Sequence, residues 1–310
     1  MYNINVLIIT YNQQDVIGRA IDSALSQRDY GLNKIIVEDD NSSDGNWEVV
    51  NEYVNKYPGY IEAYQNQTNL GIYQNMDELV KKRGNADFYY FLSGDDALAD
   101  GFFKTVQEYI VSNNINISEA IGIYGDWKDI HLDGTELYHK PEFIEGINPL
   151  SLYIRGKIGA RSQLISNKLI SQFKPSVFEK GLALAEGSFD SQAFIYGNIF
   201  YYIPILGSLS YRGKGISNQL EIGKSDYWTT QRIDAAKYFI DHILTNKEDV
   251  YYYKYIIEYS RFFIEPSFSG IIKALHYYHK GRLKGVRYGL RDYAKSIYSL
   301  IVFWKLNVFK

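Results

Sequence analysis

The sequence has no cysteine, which excludes disulfides, thiolate zinc sites and cysteine nucleophiles together. It has no apolar run near the ~20 residues that cross a bilayer; the nearest, "YSLIVFW" at 298–304, is far too short. The N-terminus, "MYNINVLIIT", lacks the basic stretch and long apolar segment of a secretory leader, so a cytoplasmic location is expected. Positive charge is not in excess: the formal net charge is −3, which argues against nucleic acid as a partner. The five histidines show no metal-ligand spacing, and His276 and His279 are expected on a helix surface. No G-x-G-x-x-G fingerprint, no P-loop and no Ser/His/Asp arrangement stands out.

What is present is an ordinary globular composition, 46% hydrophobic and 22% charged, over a length sufficient for one large domain and an appendage, or for two domains. Thirty tyrosines supply apolar bulk with a polar edge. "INVLIIT" (4–10) and "KIIV" (34–37) read as buried strands, followed by strands around "YIEAYQ" and 87–92. Between them lie helical patterns: Val16, Ile17, Ala20, Ile21, Ala24 and Leu25 on one face, with Asn12 as the expected cap, then Trp47, Val50, Tyr53, Val54 and Tyr57. A third helix is expected near 72–83. The alternation predicts an α/β domain with a mostly parallel sheet and helices on both faces. "AIGIYGDWKDI" and "TELYHK" flank Asp133-Gly134, a hairpin signal. "RSQLIS" is a further strand candidate, a helix is expected near 187–196, and the chain reads as mostly helical beyond about 225.

In such sheets the ligand crevice lies at the carboxyl ends of the strands. Three polar clusters fall there: "TYN" (10–12), "EDDNSSDG" (38–45) and "SGDD" (93–96). Asp95 and Asp96 are adjacent carboxylates at the end of an apolar strand, a costly place for like charges without a counter-charge. A divalent cation held by Asp95 would supply it, and hard carboxylate oxygens suit Mg²⁺ or Mn²⁺. The plainer alternative is that the two acids cap a helix starting near Gly101 or shape a turn. The Asp39–Asp44 cluster likewise suits an Asx-turn loop as well as a nucleotide contact.

"VLIITYNQQDVIGRAIDSALSQ", "IIVEDDNSSDG", "NLGIYQNMDELVKKRGNADFYYFLSGDD" and "YRGKGIS" together resemble the family 2 glycosyltransferases, inverting enzymes of GT-A fold, over roughly residues 3–217. The resemblance implies a GT-A catalytic domain at 1–220, with a donor half at about 1–100 and an acceptor half at about 101–220. A helical C-terminal extension would follow at 221–310. It implies a nucleotide-sugar donor, most simply a UDP-sugar, and transfer to a hydroxyl of a glycan or lipid-linked saccharide in surface polysaccharide synthesis. Thr10 and Tyr11, with Asn12 beside them, fall where the family frames the base; Asp40 matches the residue that reads uracil, and Asp39 supports that loop. "SGDD" corresponds to the D-x-D motif, so that Asp95 is the metal ligand, between Gly94 and Asp96. Ser93 replaces the acid that contacts the ribose. Glu186 occupies the general-base position, with Asp190 one turn later as the other candidate, although Ala185 replaces the usual preceding acid. "YRGKGIS" carries Arg212 and, in place of a histidine, Lys214, which would pair with a diphosphate as a point charge.

The chemistry is consistent with these roles. A cation with Arg212 and Lys214 would stabilise the departing diphosphate, and one carboxylate would deprotonate the acceptor. The plainer readings are a solvated surface for Arg212 and Lys214, a core aromatic for Tyr11 and a helix N-terminus for Glu186. Two other classes stay open: a catalytically silent nucleotide-sugar binding module and a membrane-docking scaffold. Residues 273–310 carry nine Lys/Arg and a single acid, Asp292, and Leu283, Val286, Leu290, Ala294, Ile297 and Ile301 recur at helical spacing. This suits either peripheral contact with an anionic membrane or a helix packed on the domain with a basic outer face.

Overall fold

The structure is a computed structural model, and it describes residues 1–155, 157–159, 161–174, 188–212, 233–234, 236–238, 240–241, 244–264 and 267–282. Two compact units divide the chain, Met1–Lys180 with Glu186–Asn218, and Gly181–Ala185 with Gln219–Lys310.

The first unit is built on a nine-stranded sheet. In chain order the strands are β1 (Ile4–Thr10), β2 (Leu32–Asp39), β3 (Ile61–Gln65), β4 (Phe88–Ser93), β5 (Ala97–Leu98), β6 (Ile121–Ile130), β7 (Glu136–His139), β8 (Gln163–Ser166) and β9 (Ile199–Tyr211). The helices are α1 (Ile17–Leu25), α2 (Asn46–Lys56), α3 (Ile72–Lys81), α4 (Phe102–Ser112), α5 (Pro149–Tyr153), α6 (Asn167–Ile170) and α7 (Ser188–Tyr196). The spatial order is β3-β2-β1-β4-β8-β6-β9-β5, with β7 beside β6. Strands β3, β2, β1 and β4 are parallel, as the alternating pattern predicts. Beyond β4 the pairings are mixed: β8 runs antiparallel to β4 and β6, whereas β6 and β9 are parallel.

Why β1 reads as a continuous apolar run follows from its two covered faces. Val6 and Ile8 pack on one side with Ile17, Ala20 and Ile21 of α1 and Phe102, Phe103 and Val106 of α4. Leu7 points the other way, into a cluster with Ile36, Leu79, Tyr89 and Ala193. Tyr90 joins the first face edge-on to Phe102 and Phe103, with ring centroids 5.8 and 6.0 Å away.

Two local expectations need correction. Asn12 does not cap α1: the cap residue is Val16, with no side-chain hydrogen bond, and Asn12 sits in the left-handed region at φ 51°. The two acids of "SGDD" do not cap α4 either, whose cap is Gly101 at φ 71°. Strand β9 runs through Pro204, which has no N–H to give a ladder, because that residue sits at an irregularity: Tyr124 opposes Tyr202 but Asp126 opposes Leu206. The hairpin at Asp133-Gly134 is as expected, with Gly134 at φ 81°.

In the second unit, helices α8 (Lys247–Ile264) and α9 (Phe268–Lys280) pack through Tyr255, Phe262, Ile271, Ala274 and Tyr278. His276 and His279 are exposed on α9. Among the described residues no helix is long and apolar enough to cross a membrane. The basic stretch 283–310 lies outside the described residues.

Candidate active site

Three strand ends meet. In the ladder Thr10 opposes Asp39, and Ile9 opposes Ser93. Past the strand ends the backbone stays tied: Asp40 N–H donates to the Thr10 carbonyl at 3.0 Å, and Gly94 N–H to that of Ile9 at 2.9 Å. Parallel pairing therefore gathers "TYN", "EDD" and "SGDD" at one edge, as the sequence pattern predicts.

Asp39 is fully buried and accepts four hydrogen bonds, from Ser42 N–H (2.9 Å) and Oγ (2.5 Å), Asn46 Nδ2 (2.7 Å) and Gln65 Nε2 (2.9 Å). This satisfies a carboxylate that water cannot reach. Its neighbour Asp40 is equally enclosed; it accepts from Asn66 Nδ2 (3.1 Å), Leu70 N–H (2.7 Å) and Gly71 N–H (2.8 Å), and so shapes the loop before α3. Asn12 receives Ser43 N–H on its side-chain oxygen at 2.9 Å while its own N–H donates to Ser42 Oγ at 2.9 Å, which joins the β1 end to the β2 loop. Thr10 is buried, its hydroxyl 2.9 Å from Gln13 Oε1 and 3.1 Å from Asn46 Oδ1. Tyr11 is half-buried.

Two arginines that sequence reasoning missed stand beside the acid pair, and one of them, Arg161, faces a carboxylate. Arg161 Nη1 lies 3.7 Å from Asp96 Oδ2 and donates to the Ser210 hydroxyl. Asp96 Oδ1 accepts Tyr211 N–H at 3.0 Å, which fastens the acid to the end of β9. Burial, and then the charge of Asp95, push Asp96 up to about 6 despite Arg161. Arg19 of α1 donates to the Asp95 carbonyl and lies over the Tyr211 ring, 3.5 Å from its centroid. Neither arginine carries a motif signal: Arg19 sits within an amphipathic helix pattern and Arg161 opens the strand candidate "RSQLIS", and only the fold brings them to residues 76 and 65 positions away.

Asp95 Oδ1 accepts the Ser93 hydroxyl at 2.6 Å. Oδ2 has no hydrogen-bond partner among the described residues. Gly94 is the tight point of the loop, since a Cβ there would lie 2.4 Å from Gln13 Oε1 and 2.9 Å from Thr10 Oγ1. Beside the loop a cavity of ≈ 170 Å³ is lined by Val16, Arg19, Asp95, Ile130, His131, Leu132, Tyr211 and Arg212. Arg212, the residue after β9, lines it and is paired with Asp129 at 3.0 Å; Asp129 also meets His139 at 3.1 Å, whose ring stacks on Trp127 at 5.0 Å.

No three His, Cys, Asp or Glu side chains among the described residues converge as a metal site. The donor set nonetheless fits a hard cation in one respect: Asp95 brings a free carboxylate oxygen to a cavity edge, and Mg²⁺ or Mn²⁺ is commonly held by one or two carboxylates with substrate oxygens completing its shell. Asp96, engaged with β9, is not available in the same way. Glu186 and Lys214 lie outside the described residues, as does the Asp190 side chain, although Asp190 belongs to α7.

Comparison with solved structures defines the class of protein. Staphylococcus aureus TarS 1-349 in complex with UDP-GlcNAc superposes with a TM-score of 0.60 over 89% of this chain and 79% of that one, at 14% identity, a likeness of fold. The architecture is that of the GT-A glycosyltransferases. More particularly, the chain belongs to glycosyl transferase family 2, whose family model matches residues 5–166. Relatives include an uncharacterized protein of Mycobacterium tuberculosis (32% identical over 97 residues, 31% of this chain and 28% of that one). Others are the poly(ribitol-phosphate) β-N-acetylglucosaminyltransferase TarP of S. aureus (27% over 190 residues; 58% and 51%) and the abequosyltransferase RfbV of Salmonella typhimurium (30% over 110 residues; 35% and 33%). The matches thus span 28% to 51% of these relatives' own length.

Proposed function

We propose that the protein is an inverting glycosyltransferase that moves a sugar from a UDP-sugar donor to a hydroxyl of a glycan or lipid-linked saccharide, in surface polysaccharide synthesis. The observation that carries this reading is the meeting of three polar strand ends beside a cavity bounded by Arg19, Asp95 and Arg212. The UDP-GlcNAc bound by TarS and the glycan chemistry in the names of TarP and RfbV support it.

In this reading Thr10, Tyr11 and Asn12 frame the base, and Asp40 acts through the loop it holds. Asp95 would hold Mn²⁺ or Mg²⁺, which when bound would supply positive charge to the diphosphate leaving group. Arg212, aimed by Asp129, and Lys214 take the remaining negative charge. Glu186, or Asp190 in its place, removes the proton of the acceptor hydroxyl, and a single displacement inverts the anomeric centre.

Two substitutions test these roles. Asp95→Ala is expected to abolish transfer and weaken UDP binding in Mn²⁺. Glu186→Gln is expected to keep UDP binding within about twofold while lowering transfer by about 10²–10⁴-fold; normal transfer by that variant removes Glu186 as the base. A second reading, a binding module without turnover, is favoured by one observation: the Ser93 hydroxyl that stands in for an acid is spent on Asp95. UDP binding with no sugar transfer across a panel of nucleotide sugars and saccharide acceptors would establish it. We further infer that residues 273–310 bring the enzyme to an anionic membrane surface where a lipid-linked acceptor resides.

A further inference from the structure

We propose that Arg19, on α1, is the protein's own contact for the donor diphosphate, ahead of any contribution from the segment after β9. The inference rests on the nucleotide-sugar reading above and adds a residue to it.

Three basic side chains surround the acid loop, and they differ in how their charge is met. Arg212 is paired with Asp129 at 3.0 Å and Arg161 lies 3.7 Å from Asp96. Among the described residues Arg19 has no carboxylate partner. Its contacts are neutral: the Asp95 carbonyl and the face of Tyr211. Its Nε is buried without an acceptor. A buried donor left unpaired is costly, and Nη1, which is neither enclosed nor hydrogen-bonded among the described residues, is the nitrogen a phosphate oxygen can reach.

The side chain is also held ready. One hydrogen bond and a ring stacked at 3.5 Å fix the plane of the guanidinium, so little rotamer freedom remains to be lost on binding. Val16 and Ile130, both half-buried, line the same cavity, and such apolar walls weaken solvent screening of the charge. At ≈ 170 Å³ the cavity is smaller than the roughly 300–1,000 Å³ of a complete ligand site, and suits one charged part of a ligand rather than a whole nucleotide sugar. Asp95 and Arg212 on the same wall place that part next to the proposed metal ligand and the second arginine.

Calorimetric titration of the full chain with UDP, uridine and inorganic pyrophosphate, each with and without Mn²⁺, separates the contributions. Arg19→Gln is expected to weaken UDP and pyrophosphate by about 10- to 100-fold, the range for one charged hydrogen-bonding contact, and to leave uridine within about twofold. Arg19→Lys, which keeps the charge but not the fork, is expected to recover part of the loss. Unchanged pyrophosphate affinity in Arg19→Gln overturns the proposal, whatever UDP does. Arg19-dependent pyrophosphate binding by a wild-type chain that ignores UDP keeps the anion contact and sinks the donor reading instead. Should the variants unfold, the Nε–H resonance of Arg19 in wild-type protein decides: a shift on adding pyrophosphate supports the contact, and no shift rejects it.

Discussion

Asp39 and Asp40 are neighbours in sequence and both buried, but they bind different parts of the chain. Asp39 gathers Ser42, Asn46 and Gln65, whereas Asp40 gathers Asn66, Leu70 and Gly71. Removing the first carboxylate strands the buried Asn46 amide and breaks three further hydrogen bonds, from Ser42 and Gln65, so Asp39→Ala is expected to cost about 3 kcal/mol in urea unfolding, well above the typical single substitution. Asp96 has a different liability. Its pKa, about 6 in the folded chain against 3.8 for the free group, is raised by burial and by Asp95. A raised carboxylate pKa means the folded state holds the proton more tightly. Its contribution is therefore complete below pH 3.8 and is lost as the pH rises through 6, amounting to about 3 kcal/mol. In metal-free buffer the melting temperature of Asp96→Asn is expected to change less between pH 4.5 and 7 than that of wild type.

The turn between β4 and β5 holds its shape because residue 94 has no side chain. A methyl group would meet Gln13 and Thr10 at distances no real Cβ tolerates, and Thr10 is itself held at the β1 end. Gly94→Ala is expected to displace the loop, destabilise by about 1–3 kcal/mol as other overpacked sites do, and reduce UDP affinity more than the stability loss explains. The strand ends, the hairpin and the helices of this region were legible in the sequence, since period-two and period-3.6 patterns follow directly from which faces are buried. The cap at Asn12 was not. Its short polar side chain suits a helix start and a left-handed turn equally, and the partners that decide, the Ser42 hydroxyl and the Ser43 N–H, lie about 30 residues on.

On the scale of the whole molecule, the second unit adds a helical pair and a basic stretch to the transferase fold. If the stretch carries the membrane contact, the full chain is expected to float with vesicles containing anionic lipid, and a chain ending near residue 270 is expected to lose most of that binding; equal flotation of both rejects the role. High salt should weaken the interaction, because attraction between basic residues and lipid charge falls off within a Debye length.

Sequence alone determined the alternation of strands and helices, the polar residues at the strand ends and the family, because burial periodicity and motif order are local properties of the chain. The tertiary structure alone decided which basic side chains stand beside the acids of "SGDD": the fold brings Arg19 from α1 to the Asp95 carbonyl and Arg161 from the segment before β8 to the Asp96 carboxylate. Charges act through space, and no local pattern records which distant side chain folding will place within 4 Å.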